Sequence, residues 1–271
     1  MANDSIRISA QADFKSLYHY QDFQPALHTD RLIDILRNHR IYCSNPVDFN
    51  DPWDCKPYFD PDLLDDPAHR AATAEAFIAN QRGGPQGSKE DQLLRTDIVL
   101  LKQLLQNFSE EQVQFITTRW GVYCLSPDPC STLMWSHYSR NHRGICLEYG
   151  TVNSKFSGAR KVQYQKEYPA ILLYDPASYM QMLLIKSDVW TYEEEYRLIC
   201  PRFTEVKQHP HIMDGDYLSI GANDLKSIIV GCQADAHTIA AVQALVGEHA
   251  PSVQVRQARR APNKYRLVID G

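Results

Sequence analysis

The sequence lacks the motifs that define several large classes of protein. It has no P-loop, no GxGxxG, no GxSxG and no HExxH, so ATPase, Rossmann, hydrolase and zinc-protease interpretations lose their main support. No apolar run approaches the ~18 residues of a membrane span, and no secretory signal peptide is visible. The formal net charge is −5, which provides no global attraction for nucleic acid or membranes. We therefore expect a cytoplasmic protein without a membrane partner, and the charge does not favour nucleic acid as a partner.

The cysteines also lack the spacing of a disulfide or metal framework. There are seven of them, with no CxxC, and several lie in short apolar runs such as IYCS and RLIC. In such runs a cysteine behaves as a small buried hydrophobic residue. A zinc site made of Cys124, Cys130, His137 and Cys146 matches no common ligand spacing. We predict reduced cysteines and no bound metal.

The patterns that are present favour an α+β fold. With 271 residues and 44% hydrophobic residues, the chain can bury a sizeable core. Residues 1–13 are predicted to be a flexible arm, and 14–271 a single domain. Residues 60–118 carry helical patterns and no strand signal, with RGGPQGS as a connector open to proteolysis. Because the other strands and helices do not alternate as βαβ, we predict a mixed, mostly antiparallel sheet core with a helical insertion at about 60–118.

The stretch WTYEEEYRLI, residues 190–199, holds three consecutive glutamates among aromatic residues. If 192–199 forms a strand, Glu193, Glu195 and Arg197 share one face, and Arg197 or Lys186 offsets the carboxylate repulsion. An exposed Glu–Arg ladder is one interpretation, worth at most ~1 kcal/mol. The flanking aromatic residues, Trp190 among them, favour the other interpretation, a catalytic carboxylate pair against a partly desolvated wall.

Three further segments carry polar and aromatic residues that suit a binding site. In MWSHYSRNHRG, Trp135 and Tyr138 stack at helical spacing, and His137 is either a general acid or base or a histidine bonded to a carbonyl. SNPVDFNDPWD contains Asn50, Asp51 and Asp54, which read as turn residues or as a magnesium-type cluster. LYHY places His19 between Tyr18 and Tyr20. A fourth segment, RQARRAPNKYR at 256–266, holds five cations and reads as a basic rim in preference to a phosphate-binding surface.

Taken in order, several of these motifs resemble a known family. LYHY, IYCSNPVDFNDPWD, YCLS, LMWSHYSRNHRGICLEY, KSDVWTYEEEYRLI and IIVG look like the bacterial family catalogued as domain of unknown function 2971, over roughly residues 15–232. That family brings no established activity.

A second resemblance, to the ADP-ribosyltransferase fold, supplies a mechanism. The order of an aromatic-His-aromatic strand, a Ser or Tyr on a middle strand and a late Glu-x-Glu is similar to that fold. The resemblance implies that His19 holds the nucleotide and that Ser126 or Tyr138 lines the nicotinamide pocket. It also implies that Glu195 is catalytic, with Glu193 as its helper. The chain departs from that fold in the long gap between the first two motifs, in the helical insertion and in the MWSHY helix.

These observations define a candidate site and three hypotheses for function. The catalytic candidates are Glu195, Glu193 and His137, and the substrate-binding candidates are His19, Tyr20, Asn50, Asp51, Ser126, Trp135, Tyr138, Lys186, Trp190 and Arg197. We expect one pocket bordered by His19, Asp51, Trp135, His137, Tyr138 and Glu195. The preferred function is cleavage of the nicotinamide–ribose bond of NAD, or processing of a related nucleotide, by a transferase or glycohydrolase in bacterial conflict or antiphage defence. The alternatives are a metal-dependent nuclease or phosphodiesterase that uses Asp51, Asp54, His137 and Glu195, and a non-enzymatic nucleotide sensor. NAD is thus the expected substrate and the acceptor is unknown.

Overall fold

A computed structural model describes residues 14–56, 58–80, 87–202 and 209–270. The predicted arm 1–13 and most of the RGGPQGS connector lie outside these residues. The helices are α1 (Pro25–Leu36), α2 (Pro67–Asn80), α3 (Lys89–Thr96), α4 (Ile98–Arg119), α5 (Thr132–Tyr138), α6 (Pro176–Met182) and α7 (Ala236–His249). The strands are β1 (Ser16–Gln21), β2 (Arg40–Tyr42), β3 (Trp120–Leu125), β4 (Ile145–Gly150), β5 (Arg160–Lys161), β6 (Gln163–Gln165), β7 (Ile185–Ser187), β8 (Tyr196–Pro201), β9 (Tyr217–Ser219), β10 (Leu225–Val230), β11 (Gln254–Arg260) and β12 (Leu267–Ile269).

The chain divides into two compact units built from alternating segments. The sheet unit comprises Met1–Ser44, Trp120–Val162 and Val189–Gly271, and the helix unit comprises Asn45–Arg119 and Gln163–Asp188. The prediction of a single domain over 14–271 stays a prediction.

The sheet unit contains three sheets that are mostly antiparallel. The largest has the strand order β1-β4-β10-β11-β12, and its only parallel pair is β10 with β11 among the described residues. A second sheet has the order β3-β8-β5, and β2 pairs with β9 in a third. The predicted α+β class, with a mixed and mostly antiparallel sheet core, is confirmed.

Strand β4 shows how the sequence positions the core on both faces of the largest sheet. Successive side chains on a strand point to opposite faces, so Ile145, Leu147 and Tyr149 join the main core while Cys146 enters a second cluster. That second cluster includes Trp135 of α5. Because both faces are covered by apolar groups, β4 reads as an almost continuous apolar run instead of a half-polar strand.

The helix unit contains the helices predicted between residues 60 and 118. Helix α3 begins with a capping box between Ser88 and Asp91, and the helical pattern that follows is interrupted at Asp97, whose carboxylate accepts from the backbone N–H of Leu100. Phe108 of α4 makes edge-to-face contacts with Phe59 and with a ring of α2. In the described part of 60–118 there is no strand, and the short parallel pair β6–β7 supplies the strands of this unit.

Candidate functional site

Helix α5 is anchored on the largest sheet by Trp135. The Trp135 ring is fully buried and meets the Tyr20 ring edge-on at 5.3 Å, and its Nε1 donates to the Pro129 carbonyl at 2.8 Å. Ser131 caps the helix by accepting from the backbone N–H of Met134. A buried indole with a satisfied N–H fixes a helix well. Trp135 therefore positions the two residues that end the helix, His137 and Tyr138, and is not itself open to a ligand.

Three rings gather at the end of α5 and form what we call the aromatic cluster: His137, Trp190 and Tyr192. The centroid of the His137 ring lies 6.4 Å from that of Trp190 and 6.2 Å from that of Tyr192, and the two aromatic rings are 6.0 Å apart. His137 is exposed, and Trp190 and Tyr192 are half-buried. The cluster is therefore partly accessible to solvent.

Glu193 lies beside the aromatic cluster and is buried. Only 2% of the residue is exposed, and its Oε1 accepts a hydrogen bond from the Tyr138 hydroxyl at 2.7 Å. Glu193 ends a 3₁₀ turn, Asp188–Glu193, so the prediction of a strand over 192–199 is wrong at this position. The backbone at Glu194 adopts a φ of 46°, and strand β8 begins only at Tyr196.

Glu195 is also buried, and its carboxylate forms an ion pair with Arg197. It meets the Arg197 guanidinium through two parallel contacts, Nε to Oε1 at 2.8 Å and Nη2 to Oε2 at 2.9 Å. Arg197 has no exposed surface, whereas Glu194 is exposed. The interpretation of Glu193 and Glu195 as part of an exposed Glu–Arg ladder is therefore wrong. Glu194, in contrast, is a solvent-exposed carboxylate.

The predicted residues on β1 contact other residues of the sheet unit. His19 stacks on the Tyr123 ring at 4.1 Å, and its Nδ1 lies 2.7 Å from the Cys124 carbonyl. Because a carbonyl oxygen only accepts, His19 is in the tautomer that carries a proton on Nδ1. Burial lowers the pKa of His19 to about 4, against a smaller opposing effect of that hydrogen bond. His19 is thus neutral near pH 7 and is held by its neighbours.

Tyr20 and Ser126 also form hydrogen bonds within the sheet unit. The Tyr20 hydroxyl donates to the Asp128 carbonyl at 2.5 Å, and burial raises its pKa. Ser126 is buried, and its backbone N–H donates to the Tyr18 carbonyl at 2.8 Å. Their contacts shape the turn before α5.

Three other predicted residues belong to the helix unit. Asn50 is exposed, whereas Asp51 is 4% exposed and caps its turn by accepting from the backbone N–H of Trp53 at 2.9 Å. Lys186 lies on β7, where its Nζ is 3.5 Å from Oδ2 of the buried Asp54. The turn interpretation of the Asn-Asp-Pro segment is therefore confirmed for Asp51. A common pocket for these residues and the sheet-unit residues stays a prediction.

The helix unit contains a cavity of about 300 Å³ next to this ion pair. Its polar and aromatic lining includes Asp51, Trp53, Asp54, Tyr168 and Lys186. The side chains of Trp53 and Tyr168 are well exposed. Such a mixture of apolar walls with a few buried polar groups is typical of small-molecule sites.

A polar cluster around Glu148 was missed by the sequence interpretation. Its carboxylate accepts from Ser16 at 2.8 Å and from Ser227 at 2.5 Å, and lies 3.5 Å from Nη1 of Arg256. The Tyr18 hydroxyl is 3.4 Å away, and burial together with the Glu148 charge raises its pKa to about 12. The available signal was a charged residue in the middle of the apolar run ICLEY, which is unusual for a strand covered on both faces.

The described residues contain no group of three His, Cys, Asp or Glu side chains arranged to hold a metal ion. Their helices likewise include none with the length and apolar character needed to cross a bilayer.

The geometry defines an α+β protein with a buried carboxylate beside an open aromatic cluster. A family model described as "Protein of unknown function (DUF2971)" matches residues 134–198, the stretch that runs from α5 into β8. This match confirms the resemblance to that family over residues 134–198; over the rest of 15–232 the resemblance stays a prediction. No curated protein and no solved structure matches the chain.

Proposed function

We propose that this protein processes a nucleotide, NAD or a related one, by breaking its nicotinamide–ribose bond beside the aromatic cluster. The aromatic cluster holds the flat base, and Glu193 stabilises the positive charge that develops on the ribose. The bonding electrons leave with nicotinamide, and water or an acceptor nucleophile then bonds to the ribose carbon and releases a proton.

The observation that supports the proposal is the arrangement of Glu193. A carboxylate 2% exposed, fixed by the Tyr138 hydroxyl at 2.7 Å and adjacent to the aromatic cluster, is preorganised. A fixed charge in a poorly solvated site stabilises an oxocarbenium-like transition state more than one in water.

The two buried glutamates receive different roles in this proposal. Arg197 holds the Glu195 carboxylate in place through two contacts, whereas the Glu193 carboxylate is held by Tyr138 next to the aromatic cluster. Glu195 and Arg197 then act as positioning residues, and Glu193 takes the catalytic role that the sequence assigned to Glu195. Tyr138 positions the Glu193 carboxylate.

NAD turnover by three single variants tests the proposal. Glu193→Gln keeps the shape and an acceptor for Tyr138 but removes the charge, so kcat should fall by roughly 10²–10³ with little change in KM. Glu194→Gln, on the exposed neighbour, is the matched control and should retain wild-type turnover. Trp190→Ala removes a ring of the aromatic cluster and should raise KM more than it lowers kcat.

The same assays separate the alternatives. Binding without turnover by the wild-type protein would indicate a sensor, and loss of a nuclease activity on adding a chelator would indicate a metal-dependent enzyme. Equal turnover in Glu193→Gln and Glu194→Gln would overturn the proposed role of Glu193.

A further inference from the structure

The hairpin formed by β11 and β12 borders a second concave site in the sheet unit. We call it the hairpin cavity; its volume is about 750 Å³, and its lining includes His142, Cys232, Arg260, Lys264, Tyr265 and Arg266. This volume falls in the range of small-molecule sites. Within the described part of the chain, no Asp or Glu is among the lining residues.

The cations of the basic stretch 256–266 divide into two groups. Arg256 contacts Glu148, and Arg259 forms a salt bridge with Asp270. The other three, Arg260, Lys264 and Arg266, line the hairpin cavity, and among the described residues none of them forms a salt bridge. A local concentration of uncompensated positive charge on a protein of net charge −5 attracts anions.

One lining residue of the cavity, His142, ends a strained segment. Three consecutive non-glycine residues, Arg140, Asn141 and His142, adopt φ values of 50°, 51° and 65°, a conformation that costs of order 1–3 kcal/mol per residue. The strain is held by hydrogen bonds from His142 N–H to the Trp135 carbonyl at 3.0 Å and from Gln233 N–H to the His142 carbonyl at 2.9 Å.

That segment gives the cavity a buried polar atom without a partner. His142 lines the cavity, and its Nδ1 is buried and has no hydrogen-bond partner in the described structure. Buried polar atoms are nearly always paired, and an exception calls for an explanation. The atom has almost no accessible surface in this structure, so a ligand pairs with it only when the His142 ring turns toward the cavity. Burial also lowers the pKa of His142, so the ring is neutral near pH 7 and offers either a donor or an acceptor.

We propose that the hairpin cavity binds a phosphate-bearing small molecule of nucleotide size. Arg260, Lys264 and Arg266 bind its phosphates, for which guanidinium groups are well suited. The fully exposed ring of Tyr265 is available to stack on a base. This site is separate from the aromatic cluster, and the proposal does not rest on the proposed function.

Calorimetric titration of the full chain with three probes tests the phosphate requirement. ADP and inorganic pyrophosphate should bind, and adenosine should bind at least about tenfold more weakly than ADP. Raising the salt from about 50 to about 200 mM should weaken ADP binding because the cations are exposed and screened. Equal affinity for ADP and adenosine would overturn the proposal.

Matched variants locate the site. The double variant Arg260→Gln/Arg266→Gln should lose at least about tenfold in affinity for ADP. Arg259→Gln, on the same strand but paired with Asp270, should bind as the wild type does. Because all three arginines are exposed, the variants should fold, and circular dichroism checks this.

Two further measurements distinguish this proposal from alternative explanations. Trp190→Ala should leave pyrophosphate binding unchanged, so a failure of the aromatic cluster as a nucleotide site is distinguishable from a failure of the hairpin cavity. If the protein binds a single-stranded oligonucleotide but neither ADP nor pyrophosphate, the cavity is a nucleic-acid surface and the small-molecule proposal is overturned. Unaltered ADP binding by the double variant would also overturn the proposal.

Discussion

At the scale of single residues, Glu195 and Arg197 show how two opposite charges are buried inside the protein as a pair. Removing two ions from water costs several kcal/mol each unless the geometry of the pair is good. Here the guanidinium and carboxylate meet through two contacts of 2.8 and 2.9 Å, with 3% of Glu195 and none of Arg197 exposed. The pair tolerates burial only as long as both partners are present.

Loss of one partner should therefore be costly for stability. Glu195→Gln removes the charge of one partner from this buried ion pair, and we expect the free energy of unfolding to fall by about 3–5 kcal/mol. Urea denaturation measures this change. Glu194→Gln, the exposed control, should stay within about 0.5 kcal/mol of the wild type, and equal stabilities for the two variants would contradict a buried pair.

His19 predicts a pH dependence with a definite sign. Its pKa of about 4 in the folded protein lies below the ordinary value of 6.5, chiefly because of burial. The unfolded chain therefore binds a proton more readily than the folded protein between these two values. The stability associated with a neutral His19 is fully present above pH ~6.5 and is lost as the pH falls toward about 4.

A variant isolates this contribution from that of other titrating groups. His19→Asn places an amide N–H near the position of Nδ1 but does not titrate. Urea unfolding at several values between about pH 4 and 7 should show a steeper loss of stability in the wild type than in His19→Asn. Parallel curves for the two proteins would show that His19 does not carry the effect.

At the scale of elements, the turn after β10 accommodates the strained segment through Gly231. A Cβ at Gly231 would lie 2.2 Å from the His142 carbonyl oxygen, which is a backbone atom and cannot move aside cheaply. Gly231 N–H also donates to the Gly144 carbonyl at 2.9 Å. The close approach of two backbones, one from the turn and one from the strained segment, requires glycine here.

Two glycine substitutions should have opposite effects on stability. Gly231→Ala should lower the thermal midpoint by several degrees, since a core-type clash costs about 1–3 kcal/mol. Gly247→Ala, inside helix α7 with nothing near its Cβ, should raise stability by roughly 0.5–1 kcal/mol. Scanning calorimetry measures both, and a neutral Gly231→Ala would refute the close approach.

The elements differ in how far the sequence predicts them. Periodicity located α5 and the helices of 60–118, because an apolar stripe or a capping residue acts locally. It failed at residues 192–199, where a 3₁₀ turn and a positive φ at Glu194 separate Glu193 from β8. Nothing in the three glutamates favours a left-handed backbone, so the burial of Glu193 and the exposure of Glu194 depend on tertiary context.

At the scale of the whole molecule, seven free cysteines are distributed through the core and the surface. The sulfur atoms of Cys43 and Cys200 lie 3.6 Å apart in a hydrogen-bond contact. Because no disulfide constrains the fold, the thermal midpoint should be the same with and without a reductant. A midpoint lowered by reductant would reveal a disulfide absent from this structure.

The division of the chain into two units could not be predicted from the sequence either. The sequence correctly indicated an α+β class from an irregular order of elements. It treated KSDVWTYEEEYRLI as one motif, yet Lys186 belongs to the helix unit and Glu193 to the sheet unit. Long-range pairing decides this division, and periodicity in a short window carries no signal of it.

The alternation of segments has a consequence for the nascent chain on the ribosome. The helix unit has all its residues once Asp188 has been made, whereas β10, the strand between β4 and β11, is still to come. At translation rates of about 5–20 residues per second, β4 has one edge unpaired for roughly 4–15 seconds. An unpaired edge next to exposed apolar groups invites association with other chains. Premature termination between Asp188 and Leu225 would therefore release fragments in which this edge of β4 stays unpaired.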